Sequence, residues 1–132
     1  MPWPPVDTTQ PGWRVLNGQA VWTAARGGEG VAGELLLASR TDGACFVQFA
    51  KPPFTLATAR AEAGVWSVEL LSARRHFRGH GPAPAHFVWF ALADALRGQP
   101  AGGAWHFEAH GAGGWSLTNA VTGEALEGYF SP

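Results

Sequence analysis

Residues 83–100 read APAHFVWFALADALRGQP, and they form the one stretch of the chain that clearly favours a helix. Pro84 suits the first turn of a helix, where its missing N–H would have no partner in any case. Gly98 suits the left-handed residue that ends a helix, and Pro100 prevents its continuation. The stretch is rich in bulky apolar side chains and carries only Asp94 and Arg97 as charged residues. A helix with so much apolar surface needs a large apolar partner, and a curved sheet is the obvious one.

The rest of the chain reads as short strands separated by turn residues. Small and large side chains alternate from Leu16 to Trp22, and Asp42-Gly43 is a typical hairpin turn. The predicted strands are 13–24, 31–39, 44–50, 55–62, 65–71, 74–78, 105–110, 115–119 and 125–130. We therefore predict a mainly β fold, in which a curved antiparallel sheet forms an incomplete half β-barrel with one helix on its concave face. A closed up-and-down barrel fits the same spacing.

Length and composition narrow the class of protein. The 132 residues suggest one domain, with a flexible arm over 1–12 and a single half-barrel domain over 13–132. A net charge of −1 gives no basic footprint for nucleic acid. The single cysteine, Cys45, lies in an apolar run, which favours a buried thiol over a reactive one. No apolar run is long enough to span a bilayer, and no export signal is visible at the start. The first residues read as a flexible leader or, equally, as the cut edge of a chain whose export signal was removed.

The histidines are the first candidates for chemistry. His76 and His80 are four residues apart, as are His106 and His110, and His86 lies between the two pairs. On a helix this spacing would place two imidazoles on one face, as zinc sites require. Both segments read as strand or loop, however, so we favour solvent-facing or cavity-rim histidines and predict no metal and no cofactor.

The other polar candidates divide between function and solvation. Arg74, Arg75 and Arg78 form a compact basic group that would suit an anionic headgroup or an acidic partner, or equally a solvated turn at a sheet edge. No serine lies in a Gly-x-Ser-x-Gly setting, and the pairs Glu62/Glu69 and Glu124/Glu127 favour solvated carboxylates over a general acid and base. We therefore predict that the protein is not an enzyme.

Four segments, in this order, resemble the outer-membrane lipoprotein receptors of the bacterial lipoprotein-localisation pathway and their periplasmic-carrier superfamily. The segments are LNGQAVW (16–22), CFVQFAKPPF (45–54), AGVWSVEL (63–70) and LADALRGQP (92–100), within a resemblance that covers roughly residues 13–119. The resemblance implies an open half-barrel of strands that helices close, with an apolar cavity that holds acyl chains. It also implies a protein that performs no covalent chemistry.

The same resemblance implies partners and a location. The partners would be lipids or lipoprotein acyl chains and a periplasmic carrier protein, and the location the periplasm or the periplasmic face of the outer membrane. The family carries an apolar residue on a protruding loop that contacts the membrane, and the matching position here is Pro53 or Phe54, with Phe54 the better choice. The alternative is that Phe54 simply begins the next strand and points inward.

The excess of apolar and aromatic residues over charged ones suggests an apolar ligand between the sheet and the helix. The candidate ligand-binding residues are Leu35, Leu37, Phe46, Trp66, Val68, Phe87, Phe90 and Leu92. Most of the tryptophans are expected to fill a small core instead. If the helix fills the concavity completely, the domain would be a structural or protein-interaction module with no ligand cavity.

Overall fold

The computed structural model describes residues 9, 11–98 and 103–131. Most of the predicted arm over 1–12, and the Gln99-Pro100 stop after the helix, lie outside the described residues. Within the described part the β-strands form one antiparallel sheet, and there is a single α-helix. This confirms the predicted mainly β class.

The strands match the predicted segments closely. They are β1 (Arg14–Thr23), β2 (Val31–Ser39), β3 (Cys45–Lys51), β4 (Phe54–Glu62), β5 (Val65–Leu70), β6 (Arg75–His80), β7 (Trp105–Ala109), β8 (Gly114–Asn119) and β9 (Ala125–Phe130). Helix α1 (Val88–Leu96) lies between β6 and β7, and a 3₁₀ turn (Leu71–Ala73) joins β5 to β6.

The sheet is curved and unclosed, with the strand order β6-β5-β4-β3-β2-β1-β9-β8-β7. The first and last strands pair in its middle, while β6 and β7 form its two edges. The chain passes from one edge to the other through α1, so the helix must cross the sheet. This topology corresponds to the predicted half-barrel and differs from the closed barrel that the spacing also allowed.

The register of the strands defines two ends of the sheet. The Phe54 end carries the β1–β2, β3–β4, β5–β6 and β8–β9 turns. The Cys45 end carries the β2–β3, β4–β5 and β7–β8 turns. Because consecutive strands are antiparallel, the turns alternate between the two ends along the chain.

Helix α1 begins later than predicted and ends where predicted. Pro84 precedes a turn in which the Phe87 N–H donates to the Pro84 carbonyl at 3.4 Å, and the α-helix itself begins at Val88. Phe87, at the cap position, offers no side-chain oxygen to the first free N–H groups, so no capping signal extends the helix back to Pro84. At the other end Gly98 takes a φ of 78°, the left-handed conformation expected of it.

The helix packs on the concave face of the sheet. Its residues 88–93 are all buried, and Trp89 packs against Trp22 and Phe49 with ring centroids 5.3 and 5.5 Å away. The Trp105 indole N–H donates to the Ala85 carbonyl at 2.7 Å, which ties the far edge of the sheet to the segment before the helix. Side chains from both halves of the sheet therefore meet on one helix.

A glycine on edge strand β6 makes room for a ring of this core. A Cβ built on Gly79 would lie 2.6 Å from Cζ2 of Trp66, a distance that real Cβ atoms essentially never show. Trp66 lies over that backbone and contacts Phe87 at 5.7 Å between ring centroids. The absence of a side chain at position 79 is thus what lets the concave face close around the helix at this edge.

Candidate functional site

Most of the predicted ligand-binding residues lie in the core that α1 fills. The buried ones are no more than 2% exposed, and they are Leu35, Leu37, Val68, Phe90 and Leu92. Trp66 and Phe87 are partly buried and pack against the same cluster. The structure brings these seven together around α1, where five are buried core residues and Trp66 and Phe87 keep part of their surface exposed.

Phe46 is the exception and lies on the opposite, convex face of the sheet. Its strand neighbours Cys45 and Val47 are buried in the core beneath α1, and side chains alternate between faces along a strand. Phe46 is only half-buried and pairs across the sheet with Ala38 and Arg60. The prediction that Phe46 lines the concave ligand surface is therefore wrong, because the side chains of β3 alternate between the two faces of the sheet.

A cavity opens at the Cys45 end, between α1 and the sheet, with a volume of about 660 Å³. Its apolar surface is formed by the small side chains Cys45, Ala61 and Ala83 together with Val65 and Phe90. Its rim is charged and is formed by Arg40, Asp42, Glu62, Asp94 and Arg97. The cavity thus combines an apolar floor with a polar mouth, as small-molecule sites commonly do.

Of the predicted ligand residues, Phe90 alone lines this cavity. Two small residues that were not predicted to bind a ligand, Cys45 and Ala61, form the floor of the cavity. They lie side by side because they are direct partners in the β3–β4 register. The available signal was the run of alanines at alternate positions of β4, which leaves space opposite a helix. That signal acquires meaning only once the register is known.

An ion-pair network holds part of the rim. The Arg40 guanidinium contacts carboxylate oxygens of Asp42 and Glu62, each at 2.9 Å, and Arg60 contacts Glu62 at 3.1 Å. The hydrogen bond from Arg60, followed by that from Arg40, holds the pKa of Glu62 below its usual range against the opposing effect of burial. The Ala44 N–H and then Arg40 lower the pKa of Asp42 in the same way. These carboxylates are therefore ionised and paired at neutral pH.

A second set of contacts fastens the end of α1 to the rim. Arg97 donates to the Gly43 carbonyl at 3.0 Å through Nη1, and its Nη2 pairs with the Asp94 carboxylate. Gly43 belongs to the β2–β3 turn, two residues before Cys45, where β3 begins. Arg97 thus links the helix to the sheet across the mouth of the cavity.

Cys45 lies on the floor of the cavity and is 3% exposed, which confirms the predicted burial of this side chain. Burial raises the pKa of the thiol to about 11. Because the thiolate is the reactive species, the thiol is a weak nucleophile at neutral pH. This environment favours packing against an apolar group over covalent chemistry.

The histidines and the basic residues do not converge. His76 and His80 are exposed on edge strand β6, whereas His106 is exposed on the opposite edge strand β7 and His110 is exposed directly after it. Within residues 9, 11–98 and 103–131 no group of three or more His, Cys, Asp or Glu side chains is placed to hold a metal ion.

Strand geometry likewise separates the three arginines of the predicted basic group. Arg74 lies in the turn, and Arg75 and Arg78, an odd number of positions apart on β6, point to opposite faces. All three are exposed.

The two residues of the predicted membrane-contact loop, Pro53 and Phe54, are both exposed. Phe54 begins β4, as the alternative proposed, yet its side chain is 70% exposed instead of pointing inward. Pro53 is exposed in the turn before it. Both residues lie at the Phe54 end, opposite the cavity.

A larger but shallower groove of about 990 Å³ crosses β9, β1 and β2. It is bordered by Glu34, Glu127 and Tyr129, and it does not reach helix α1. It therefore lacks the contact between helix and sheet that characterises the Cys45-end cavity, which we take as the candidate site.

Neither a family model nor a curated protein matches this chain. In the part of the chain that the structure describes, no helix has the length and apolar character needed to cross a membrane.

Proposed function

We propose that the protein is a non-enzymatic binding protein that holds an acyl chain or a similar apolar group in the Cys45-end cavity. The lipoprotein-receptor resemblance extends the proposal to lipoprotein acyl chains, with exchange from a periplasmic carrier protein. The corresponding location is the periplasm or the periplasmic face of the outer membrane.

The observation that carries the proposal is the cavity between α1 and the sheet. Its volume of about 660 Å³ lies within the range typical of small-molecule sites, roughly 300–1,000 Å³. Its floor offers Cys45, Ala61 and Phe90 to an apolar group, while the ion-paired rim leaves a ligand's polar end in contact with water. Binding would be driven by removal of apolar surface from water, about 25 cal/mol per Å², less the entropy lost on association.

The non-enzymatic assignment is supported by the state of the polar groups at the cavity. Asp42 and Glu62 are ionised and form ion pairs with Arg40 and Arg60. The pKa of the Cys45 thiol is raised to about 11. A general acid or base needs a pKa near the working pH, and a nucleophilic thiol needs a lowered one. None of these groups meets those requirements.

A second candidate function is a protein-interaction module with a filled core. It is favoured by the burial of the predicted ligand residues, since Leu35, Leu37 and Leu92 are all 2% exposed or less. In that case the cavity at the Cys45 end would hold only water, and binding would occur at the outer surface.

A fluorescence titration with an environment-sensitive fatty acid separates the two candidates. We expect saturable binding to the full chain, and loss of that binding in Ala61→Trp, which fills the floor of the cavity. Ala32→Trp is the matched control, because Ala32 is exposed on the convex face and lines the shallow groove.

Alkylation of Cys45 gives an independent readout, because this is the single cysteine of the chain. Bound fatty acid should slow its reaction with iodoacetamide. Absence of saturable binding to a chain shown to be folded by circular dichroism would eliminate the cavity function in favour of the interaction module. Loss of binding in Ala32→Trp and not in Ala61→Trp would move the site to the groove.

A further inference from the structure

Strand β6 is one of the two edges of the sheet, so one side of its backbone has no neighbouring strand. The Gly81 N–H donates to the Gly64 carbonyl at 2.7 Å, directly after the β5–β6 ladder. Along an antiparallel strand, residues that bond to the neighbour alternate with residues whose N–H and C=O point the other way. Counted back from Gly81, the residues whose backbone groups point outward are His76, Arg78 and His80. No backbone partner for these groups lies among the described residues.

The β6 edge is regular enough to accept a further strand. The β5–β6 register runs through six consecutive pairs, from Val65–His80 to Leu70–Arg75, without the shift that interrupts the β3–β4 pairing. β6 contains no proline, a residue that cannot donate a backbone hydrogen bond to an added strand. An exposed edge with free backbone groups is a template on which an extended segment of another chain can add as a strand.

The charges along the β6 edge are predominantly of one sign. Arg74 precedes the strand, Arg75 lies on its concave side over the Phe77 ring, and Arg78 lies on its convex side. All three arginines are exposed, and none belongs to an ion pair among the described residues. Residues 65–88, which include β5, β6 and the segment before α1, contain a single carboxylate, Glu69. Three arginines therefore outnumber one negative charge at this edge.

This charge distinguishes a second copy of the chain from an acidic partner. If two β6 edges paired antiparallel, the outward backbone groups of His76, Arg78 and His80 would meet the same three residues of the second copy. Like charges opposite each other destabilise a sheet, so this pairing is disfavoured. A strand with carboxylates at alternate positions would instead place one beside Arg78, where arginine and carboxylate form strong charge-assisted hydrogen bonds. The same charges thus oppose self-association and favour an acidic strand.

The concave side of the β6 edge offers an apolar position. Phe77 is partly buried there and packs against Phe87 with ring centroids 5.3 Å apart, and its neighbour Gly79 has no side chain. Side chains of an added strand alternate between the two faces of the sheet. The residues between its carboxylates would therefore lie beside Phe77 and Gly79. The edge suits a segment in which acidic residues alternate with residues such as threonine and valine.

We infer that β6 is a docking strand for an extended acidic segment of a partner protein, which adds to the sheet beside His76, Arg78 and His80. Backbone hydrogen bonds would provide the affinity, and the carboxylates at alternate positions would provide the selectivity. The inference goes beyond the proposed ligand cavity and does not rest on it, since none of residues 75–80 lines that cavity.

Fluorescence anisotropy of the full chain with a labelled eight-residue peptide tests the inference. In the peptide, glutamate alternates with threonine or valine. We expect saturable binding that added salt weakens, and a loss of at least tenfold in affinity when every glutamate is replaced by glutamine. Arg78→Gln should reduce the affinity severalfold. Arg14→Gln is the matched control and should bind as the wild type does, because Arg14 is an exposed arginine on β1, in the middle of the sheet.

N-methylated peptides separate strand addition from charge attraction alone. Methylation of every second residue removes one set of N–H groups and leaves every carboxylate in place. The form methylated on the groups that face β6 should lose binding, whereas the form methylated on the other set should retain it. His76→Pro removes an outward N–H from the edge and should likewise weaken binding. His76→Thr keeps that N–H and should bind nearly as the wild type does, with circular dichroism to show that both variants are folded.

Four results would overturn the inference. Absence of saturable binding by the glutamate peptide would exclude an acidic strand. Equal binding of the two methylated peptides would show charge attraction without strand addition. Equal loss in Arg14→Gln and Arg78→Gln would show that the peptide does not bind at β6. A self-association in sedimentation velocity that His76→Pro abolishes would assign the edge to a second copy of the chain. The fatty-acid titration reports on the cavity separately, so failure of either proposal is distinguishable from failure of the other.

Discussion

At the scale of single residues, Cys45 shows how burial changes the chemistry of one side chain. Its thiol lies in an apolar setting beneath the end of α1, and desolvation raises its pKa from 9.0 to about 11. The charged Arg97 and Asp94 nearby act in opposite directions and alter this less than burial does. A residue that would be moderately reactive in an unfolded chain thus becomes a small apolar side chain in the fold.

This burial predicts a loss of stability at alkaline pH. Below pH 9 the thiol is protonated in both states and contributes no pH dependence. Between pH 9 and 11 the unfolded chain loses the proton while the folded chain retains it, so the free energy of unfolding falls with rising pH. The full contribution is about 2–3 kcal/mol. Urea denaturation of wild type and Cys45→Ala across this range measures it, because other alkaline titrations affect both proteins. Parallel curves for the two proteins would contradict the prediction.

At the scale of elements, α1 is held to the sheet by apolar packing along its length and by polar contacts at its ends. Trp105 donates to the Ala85 carbonyl before the helix, and Arg97 donates to the Gly43 carbonyl after it. The packing supplies most of the stabilisation, since each buried large side chain contributes about 1.5–3 kcal/mol. The polar contacts determine where the ends of the helix lie relative to the strands.

Arg97→Met should therefore change access to the cavity more than it changes stability. Methionine keeps much of the apolar stem but cannot donate to Gly43 or pair with Asp94. Because Arg97 is part-exposed, we expect the free energy of unfolding to fall by less than about 1 kcal/mol. Alkylation of Cys45 under native conditions should nevertheless be several times faster. Arg14→Met, at an exposed arginine of the same end, is the control. An unchanged alkylation rate would show that Arg97 does not restrict access.

At the scale of the whole molecule, the two halves of an open sheet are joined by one helix. The β1–β9 pairing connects the halves through backbone hydrogen bonds, and α1 connects them through side chains. Trp89 lies at the centre of that connection, 2% exposed, between Trp22 of β1 and Phe49 of β3. Removal of the Trp89 ring should therefore destabilise both halves of the sheet together.

Trp89→Ala should lower the free energy of unfolding by about 3–5 kcal/mol, because it removes a buried ring and leaves a cavity. Thermal unfolding followed by far-ultraviolet circular dichroism and by tryptophan fluorescence should show one shared transition in the wild type. Phe54→Ala is the matched aromatic control, since its side chain is 70% exposed and should change stability by no more than about 0.5 kcal/mol. A similarly small effect of Trp89→Ala would contradict the central role of this ring.

Local pattern was sufficient for most of the fold. Strands β2 and β9 begin and end at the predicted residues. The signals that define a strand, alternating side chains and flanking turn residues, lie at neighbouring positions in the sequence. Gly98 ends the helix because a left-handed residue is a local requirement that glycine meets without strain. The start of α1 was less accurate, since Pro84 is compatible with a first turn but does not by itself create one.

The sequence alone thus determined the class of the protein: an antiparallel, mainly β chain with one apolar helix to cover a curved sheet. The tertiary structure decided which face each side chain occupies and which ends of strands meet. It placed Phe46 on the convex face, set Cys45 opposite Ala61 on the floor of a cavity, and brought Phe54, Leu71 and Val121 to one end. The physical reason is that these relations depend on register and strand order, which join residues far apart in the chain, whereas helix and strand preference depends on neighbours.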